Sequence, residues 1–483
     1  MTHQHQQHQQ HQQQLSKSLR TKDLIGINVT AITSLRWLPI AASMGASAMF
    51  YWPLALTLFF IPLGRITAEM ASAWPKQGGF YVWIKEAYGE RVAFLAAWFY
   101  FVSNLFYYPM LITFCAVTLA FVFDPALKDN QLFVASVIIA TFCLLTILNI
   151  KGVRTSKLFS QIFGFLGLFM PGVLILFLGA YSLFYLGRAP ATTYTLQTVL
   201  PDLSSLKNIL LLSTLMLAMS GIELTSIMGE EIERGPHTFT LSTLISGVII
   251  VTLYMGGTLS LGVLIPKEEM GVASGIMDAM KMIFESTGLA FLTKSVALLI
   301  FLGSIATLNV WILGPIKLIF ESSKHILPVF LIKPNQHGMP QNIIIMQAVF
   351  ISFIVLITSL MPSVEAFYQL LIVMTTLTSF IPYLLLFSTF LKLRKEKPSV
   401  PRPCKVPGGR GGALLIGTMG ILAVLLAIIL PFIPAQEFQS SREILIYELQ
   451  IILGPFIFGV MGNAIYARRA SITKHTSLVP SQH

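Results

Sequence analysis

Charge is scarce in this chain of 483 residues. Asp, Glu, Lys and Arg together make up 11% of it, whereas soluble globular domains carry about 25%. Hydrophobic residues make up 55%, and the mean hydropathy is +0.74. The composition therefore excludes a soluble globular protein.

The chain also lacks the residue patterns of several other protein classes. Its three cysteines, Cys115, Cys143 and Cys404, are far apart. They give neither a disulfide framework nor the spacing of a zinc site. No Gly-x-x-x-x-Gly-Lys loop is present to bind the phosphates of ATP. We therefore expect no enzyme chemistry, no cofactor and no metal.

The N-terminus lacks the pattern of a cleavable signal peptide. It starts with a Gln/His-rich tract that runs to Gln14, not with a charged start followed by an apolar core. A polar tract of such low complexity is typical of disorder. We predict a disordered tail over residues 1–20, a membrane domain over 21–466 and a cytoplasmic C-terminal tail over 467–483.

Long apolar runs dominate the membrane domain, and each is long enough to cross a hydrocarbon core of about 30 Å as a helix. The mixed segment 267–293 is predicted to be a surface segment. We predict twelve spans, at residues 24–46, 49–72, 92–119, 131–150, 157–183, 207–229, 239–265, 295–320, 342–361, 365–391, 412–434 and 446–466.

The net charge of +11 has an explanation in the membrane. If the N-terminus is inside, the cytoplasmic segments hold 23 Lys and Arg and the outer loops hold 7. Such a bias predicts that both termini are cytoplasmic. The basic residues are spread over many loops and form no single stripe, which argues against nucleic acid as a partner.

A carboxylate inside a span is the most informative single residue. Glu223 lies in an otherwise uncharged stretch of the sixth span, directly after Ser220 and Gly221. A charged group at that depth costs a few kcal/mol or more, so it usually faces a cavity, a partner or a substrate. Small residues beside it favour a helix break that frees backbone groups for a ligand. The alternative is a carboxylate that pairs with a nearby cation for packing alone.

The first span is predicted to be interrupted as well. It carries Arg36 and, three residues later, Pro39, which removes a backbone donor. Broken helices five spans apart suggest an inverted-repeat transporter. We expect Arg36 and Glu223 to neutralise one another or to grip the carboxylate and ammonium of an amino acid. Alternatively, Arg36 extends to the membrane interface from a shifted span.

Three further groups allow two interpretations each. Arg65 and Glu69 have the spacing of an i,i+4 pair. Asn104, Tyr107 and Tyr108 precede Pro109 in the third span, where aromatic residues serve either packing or substrate. An acidic loop is predicted to be solvated or to help close an inner gate; it contains Glu230, Glu231, Glu233 and Arg234.

Two stretches resemble the amino acid–polyamine–organocation superfamily of transporters. Residues 68–89, with Pro75 to Trp83 at their centre, resemble its signature between spans two and three. Residues 219–236 resemble its sixth-span motif and the loop that follows. The segments 311–315, 326–328 and 406–409 are similar to the bacterial glutamate/γ-aminobutyrate antiporters within that superfamily.

The resemblance implies an all-α membrane protein with two inverted five-helix repeats, at about 24–183 and 207–391, and two more helices at about 412–466. Substrate would lie between the broken first and sixth spans. The chain departs from the family at Arg36, at Gln161 and at Thr307. The candidate substrate-binding residues are Ser34, Leu35, Arg36, Trp37, Asn104, Tyr108, Ser220, Gly221, Ile222, Glu223, Thr307, Trp311 and Tyr383.

The sequence therefore predicts a transporter of amino acids that works by alternating access, with exchange of an amino acid for an amine. Two alternatives stay open: a proton-coupled symporter for an amino acid or amine, and a transport-inactive amino acid sensor. The expected partners are a small-molecule amino acid or amine and the lipid bilayer of a bacterial inner membrane. The oligomeric state is left open.

Overall fold

The computed structural model describes residues 20–76, 78–151, 153–201, 206–223, 235–323, 326–336, 339–358, 361, 363–433 and 441–477, and the secondary structure in these ranges is entirely helical. Within them, nine helices are apolar and long enough to cross a membrane. They are Gly45–Ala73, Glu90–Phe123, Gln131–Ile150, Ile162–Phe184, Thr238–Leu264, Leu292–Phe320, Val364–Glu396, Gly409–Phe432 and Tyr447–Arg468.

The remaining crossings are shorter or interrupted. Gln341–Leu356 is a shorter apolar helix at the predicted ninth span. The first span consists of Thr21–Ile32 and Trp37–Ala42. The sixth span begins with Leu206–Ala218. Together with the nine long helices, these account for the predicted twelve spans. The last helix, Ser441–Ser477, continues beyond the predicted end of its span.

The segment 267–293 is not a span, as predicted. Its main helix, Gly275–Ser286, has only 12 residues, and one apolar face of it is buried against the bundle. A single salt bridge ties it to the loop after the third span, where Lys128 Nζ lies 3.1 Å from Asp278 Oδ1. This helix therefore covers one end of the bundle.

The first span breaks where the sequence predicts. Its first half ends at Ile32, and the helix resumes only at Trp37. Pro39 falls in the first turn of the second half, where backbone N–H groups have no partner within the helix, so its missing donor costs little there.

The sixth span also breaks as predicted. Its helix ends at Ala218, and Gly221 has a φ of +117°, which side chains other than glycine rarely adopt. A Cβ atom there would lie 3.1 Å from the Trp311 ring and 3.2 Å from Ile32. Glycine thus lets the two breaks and the eighth span meet. Residues 224–234, and with them the acidic loop, lie outside the described part of the chain.

The third span forms the centre of the bundle. In its most apolar stretch, 83% of the residues are buried, more than in any other long span of the described chain. It packs most extensively against the eighth and tenth spans. The fifth and eighth spans come close together at Gly167 and Gly303, where an added Cβ would lie 2.3 to 2.9 Å from the facing backbone. The breaks are therefore surrounded by tightly packed helices.

A buried ion cluster lies at the end of the bundle where the first span begins, here called the N-terminal face. Glu69 is fully buried at that end of the second span. Its Oε1 lies 2.7 Å from Arg394 Nε and 3.1 Å from Arg402 Nε, and its Oε2 accepts hydrogen bonds from Arg394 (2.8 Å) and the Val406 N–H (2.7 Å). Burial lowers the pKa of Arg402, and the Glu69 carboxylate opposes that shift.

The predicted pair of Arg65 with Glu69 is wrong. Residues of the tenth span and of the loop after it occupy the carboxylate, and they come from more than 300 residues away in the chain. Helical spacing cannot reveal such long-range partners. Arg65 forms no ion pair within the described residues and lies half-buried on the outside of the bundle.

Candidate substrate site

Neutral donors surround the Glu223 carboxylate at the break in the sixth span. The residue is 1% exposed. Its Oε1 accepts hydrogen bonds from the hydroxyls of Tyr100 (2.9 Å) and Tyr383 (2.7 Å), and its Oε2 accepts one from the Gly221 N–H (3.0 Å). The third, sixth and tenth spans therefore meet at this carboxylate. These donors offset the cost of burying the carboxylate without cancelling its charge.

Tyr254 of the seventh span joins the two breaks. Its hydroxyl donates a hydrogen bond that is shared between the carbonyls of Ile32 (2.8 Å) and Ala218 (3.1 Å). These two residues are the last of the half-helices that precede the two breaks. The same oxygen accepts the Ser34 N–H at 3.2 Å. Such partners satisfy backbone groups that a helix break leaves open. The ring stacks on Trp52 with centroids 4.5 Å apart, which fixes its position.

Trp311 of the eighth span closes another side of the site. Its indole N–H donates to the Ala31 carbonyl at 2.8 Å, and its own carbonyl accepts the Tyr108 hydroxyl at 3.0 Å. The Trp311 and Tyr107 rings lie 5.0 Å apart. These contacts hold the end of the first half-helix against the third and eighth spans.

Arg36 is a buried cation that forms no ion pair with any residue the structure describes. It is 0% exposed, so it does not extend to the membrane interface. Its guanidinium carbon lies 4.1 Å from the Trp37 ring centroid and 4.6 Å from that of Tyr107. Among the described residues, none of its three side-chain nitrogens has a hydrogen-bond partner. Cation–π contacts with two rings stabilise the charge in part.

The predicted ion pair between Arg36 and Glu223 is therefore not formed. Glu223 contacts the third span through Tyr100, and Arg36 contacts it through Tyr107, seven residues further along. Seven residues separate Cα atoms by about 10 Å along a helix axis. Glu223 and Arg36 therefore contact the third span at different positions along its length.

Other predicted site residues have mostly local partners. The Ser220 hydroxyl donates to the Leu217 carbonyl at 2.7 Å. The Asn104 amide donates to the Tyr100 carbonyl at 2.6 Å, and the Thr307 hydroxyl donates to the Gly303 carbonyl at 3.1 Å. Leu35 and Ile222 are buried apolar residues. Asn104 therefore contacts the segment of the third span that carries Tyr100, which in turn donates a hydrogen bond to Glu223.

Sequence reasoning missed Tyr100 and Tyr254. Both are buried in apolar spans, where a tyrosine hydroxyl needs a hydrogen-bond partner. That requirement could have pointed to both residues in the sequence, because inside a membrane a buried carboxylate or the open backbone groups at a helix break provide such partners. Tyr107 was considered in the third span, but nothing in the local pattern predicted that its ring would face Arg36.

The arrangement suits a ligand that carries both signs of charge. A buried cation and a buried anion lie at or next to the two helix breaks, and they do not form an ion pair with one another. The described residues contain no group of three or more His, Cys, Asp or Glu placed to hold a metal ion.

A profile of the family described as "Amino acid permease" matches residues 19–457. The chain belongs to this family. Its fold agrees with the match, since the chain is similar over 93% of its length to a manganese transporter of Eremococcus coleocola, with a TM-score of 0.57, 14% identity and 96% of that chain covered. At this identity, the likeness shows the fold alone: twelve helices, with the inverted five-helix repeat followed by two more.

Several curated relatives are also similar over most of their length. An uncharacterised transporter of Legionella pneumophila is 32% identical, over 92% of this chain and 95% of the relative. A probable agmatine/putrescine antiporter, AguD, of Lactococcus lactis is 28% identical, over 90% and 91%. A glutamate/γ-aminobutyrate antiporter of the same species is 24% identical, over 89% and 86%. This permease is therefore a multi-pass membrane transport protein and not an enzyme.

Proposed function

We propose that this permease exchanges amino acids or an amino acid and an amine across a bacterial inner membrane by alternating access. The observation that carries the proposal is the pair of separate buried charges, Arg36 and Glu223, between two broken helices. Relatives named as antiporters support exchange. The bias of 23 Lys and Arg against 7 supports cytoplasmic termini.

In this proposal, Glu223 receives the ammonium group of the substrate. The carboxylate accepts hydrogen bonds from the neutral donors Tyr100, Tyr383 and Gly221. An incoming ammonium would bring a positive charge to this carboxylate. The tyrosines would hold the carboxylate in position while the substrate enters and leaves.

Arg36 receives the substrate carboxylate. A guanidinium without hydrogen-bond acceptors in a buried site is costly, and a carboxylate offers the planar, bidentate partner that relieves this cost. Putrescine and agmatine have no carboxylate and would bring a further cation to Arg36. The two charges therefore favour a carboxylate-bearing amino acid over a diamine as at least one of the exchanged substrates.

Counterflow in proteoliposomes tests the proposal. An exchanger loaded with unlabelled glutamate or γ-aminobutyrate should take up the labelled compound faster than empty vesicles do. A symporter would instead accumulate label in response to a pH gradient, without internal substrate. If neither regime produces uptake of any amino acid or amine while thermal shifts show binding, the protein is a sensor and the transport proposal is wrong.

A further inference from the structure

A narrow apolar groove runs down the outside of the bundle between the second and seventh spans. Its cavity has a volume of about 250 Å³. Three of its side chains face outward, where the lipid of the membrane would be: Ile61 is 39% exposed, Leu244 is 42% and Val248 is 68%. The lining residues are Leu56, Phe60, Ile61, Gly64, Arg65, Thr240, Thr243, Leu244, Gly247, Val248, Val251 and Thr252.

Local backbone chemistry creates the groove. Residues Leu56–Phe60 form a short π-helix, a distortion often found at functional sites. Gly64 and Gly247 lie in its floor, where an added Cβ would lie 2.6 Å from Thr243 and 2.6 Å from Phe60. The hydroxyls of Thr243 and Thr252 donate to carbonyls of their own helix, so these residues present methyl groups to the groove.

Arg65 places a charge at one end of this apolar surface. It belongs to the second span, one helical turn before Glu69 and thus close to the N-terminal face. Its expected partner Glu69 is occupied by Arg394 and Arg402, and Arg65 has no ion pair within the described chain. The groove extends from Arg65 to Leu56, which is about 13 Å along a helix and close to half of a hydrocarbon core of about 30 Å.

We propose that this groove binds an anionic phospholipid from the leaflet at the N-terminal face, with the phosphate on Arg65 and an acyl chain between the second and seventh spans. The match has two parts. The charge lies at the end of the groove nearer the N-terminal face, and the apolar length is about that of one leaflet. A second copy of the chain would have to bring an anion and a narrow apolar ridge to the same place, whereas a phospholipid carries both in one molecule. The proposal is independent of the transported substrate.

Native mass spectrometry of the purified full chain tests this assignment, with dioleoyl phosphatidylglycerol and dioleoyl phosphatidylcholine as probes. Wild type should retain phosphatidylglycerol in preference. Arg65→Gln should bind it about fivefold more weakly, because a basic residue near a membrane surface contributes about that factor for an anionic lipid. Lys395→Gln is the matched control, since it removes an exposed charge near the same face, outside the groove. Thr252→Phe, at an exposed position, should block the acyl chain and weaken both lipids.

Each other outcome overturns the proposal. Retention that falls equally in Arg65→Gln and Lys395→Gln would show a general effect of surface charge. Binding that is insensitive to Thr252→Phe, or that glycerol phosphate without acyl chains reproduces, would exclude the groove as an acyl-chain site. A dimer mass that Thr252→Phe abolishes would make the groove a contact between copies. Transport assays are not needed for any of these results.

Discussion

Two carboxylates that are buried in the described part of this permease, Glu69 and Glu223, have opposite environments. Glu69, at the N-terminal face, is matched by two guanidinium groups and a backbone N–H. Glu223, between the broken helices, has two tyrosine hydroxyls and a backbone N–H, while the buried cation Arg36 stays apart from it. The difference between these surroundings shows two roles of buried charge in one molecule. In one cluster the carboxylate is ion-paired with two guanidinium groups and joins elements, and at the other site Glu223 and Arg36 do not pair with one another.

The largest effect is expected at the Glu69 ion cluster. Glu69→Ala leaves Arg394 and Arg402 without their carboxylate, and breaking a buried ion pair costs about 3–5 kcal/mol. The side chain of Arg394 is 13% exposed and can partly return to water, so we expect the lower end of that range. Thermal unfolding in detergent measures it.

Glu86→Ala is the control for this prediction. Glu86 pairs with Lys397 at the same face, but both side chains are 40% exposed, so its loss should cost less than about 1 kcal/mol. Equal losses in the two variants would mean that the Glu69 cluster is no more important for stability than a surface pair.

At the Glu223 site, the effect should fall on transport and not on folding. Glu223→Ala is expected to lower counterflow by about 10- to 150-fold, because a charged hydrogen-bonded contact contributes about 1.5–3 kcal/mol and the substrate ammonium would lose its partner. Glu223→Gln should lose less, since the amide still accepts from Tyr100 and Tyr383. Glu285→Ala, an exposed carboxylate outside the site, should transport normally. Wild-type counterflow by Glu223→Ala would remove Glu223 from the site.

The smallest effect is expected in a double-mutant cycle for stability. Without substrate, Arg36→Met and Glu223→Gln should add to within about 0.5 kcal/mol, because the two groups share no contact. Glu69→Gln and Arg394→Gln should instead show coupling of more than about 1 kcal/mol, because they touch. Strong coupling in the first cycle would show that Arg36 and Glu223 pair in the membrane and would erase the contrast between the two regions.

Much of the fold could be predicted from the sequence, because the membrane makes the requirements local. Apolar length alone predicts spans, and the small residues beside Glu223 and the Pro39 region predict where two helices break. The family resemblance supplied the repeat. Pairing could not be predicted in the same way. Arg394 and Tyr100 meet their carboxylates across 325 and 123 residues of chain, and only the packing of whole helices decides such contacts.

The predicted ion pair between Arg36 and Glu223 is not formed, and the alternative that the two residues grip a substrate stays a prediction. Opposite charges in two broken helices suggest attraction, but the position of each side chain along the third span determines whether they can meet. Tyr100 and Tyr107 give these positions, because on the same helix Tyr100 contacts Glu223 and Tyr107 contacts Arg36. The roles of the thirteen predicted site residues in substrate binding stay predictions until variants are assayed.

Binding of two ligands to wild type and to Arg36→Met tests the central claim most directly. Thermal shifts would be measured with γ-aminobutyrate, which carries a carboxylate, and with putrescine, which has four carbons between two amines and no carboxylate. The account predicts that wild type binds γ-aminobutyrate more tightly, and that Arg36→Met weakens it by about tenfold or more while the unliganded protein stays as stable as before. Tighter binding of putrescine to wild type, with γ-aminobutyrate unaffected by Arg36→Met, would contradict the assignment of Arg36 to the substrate carboxylate.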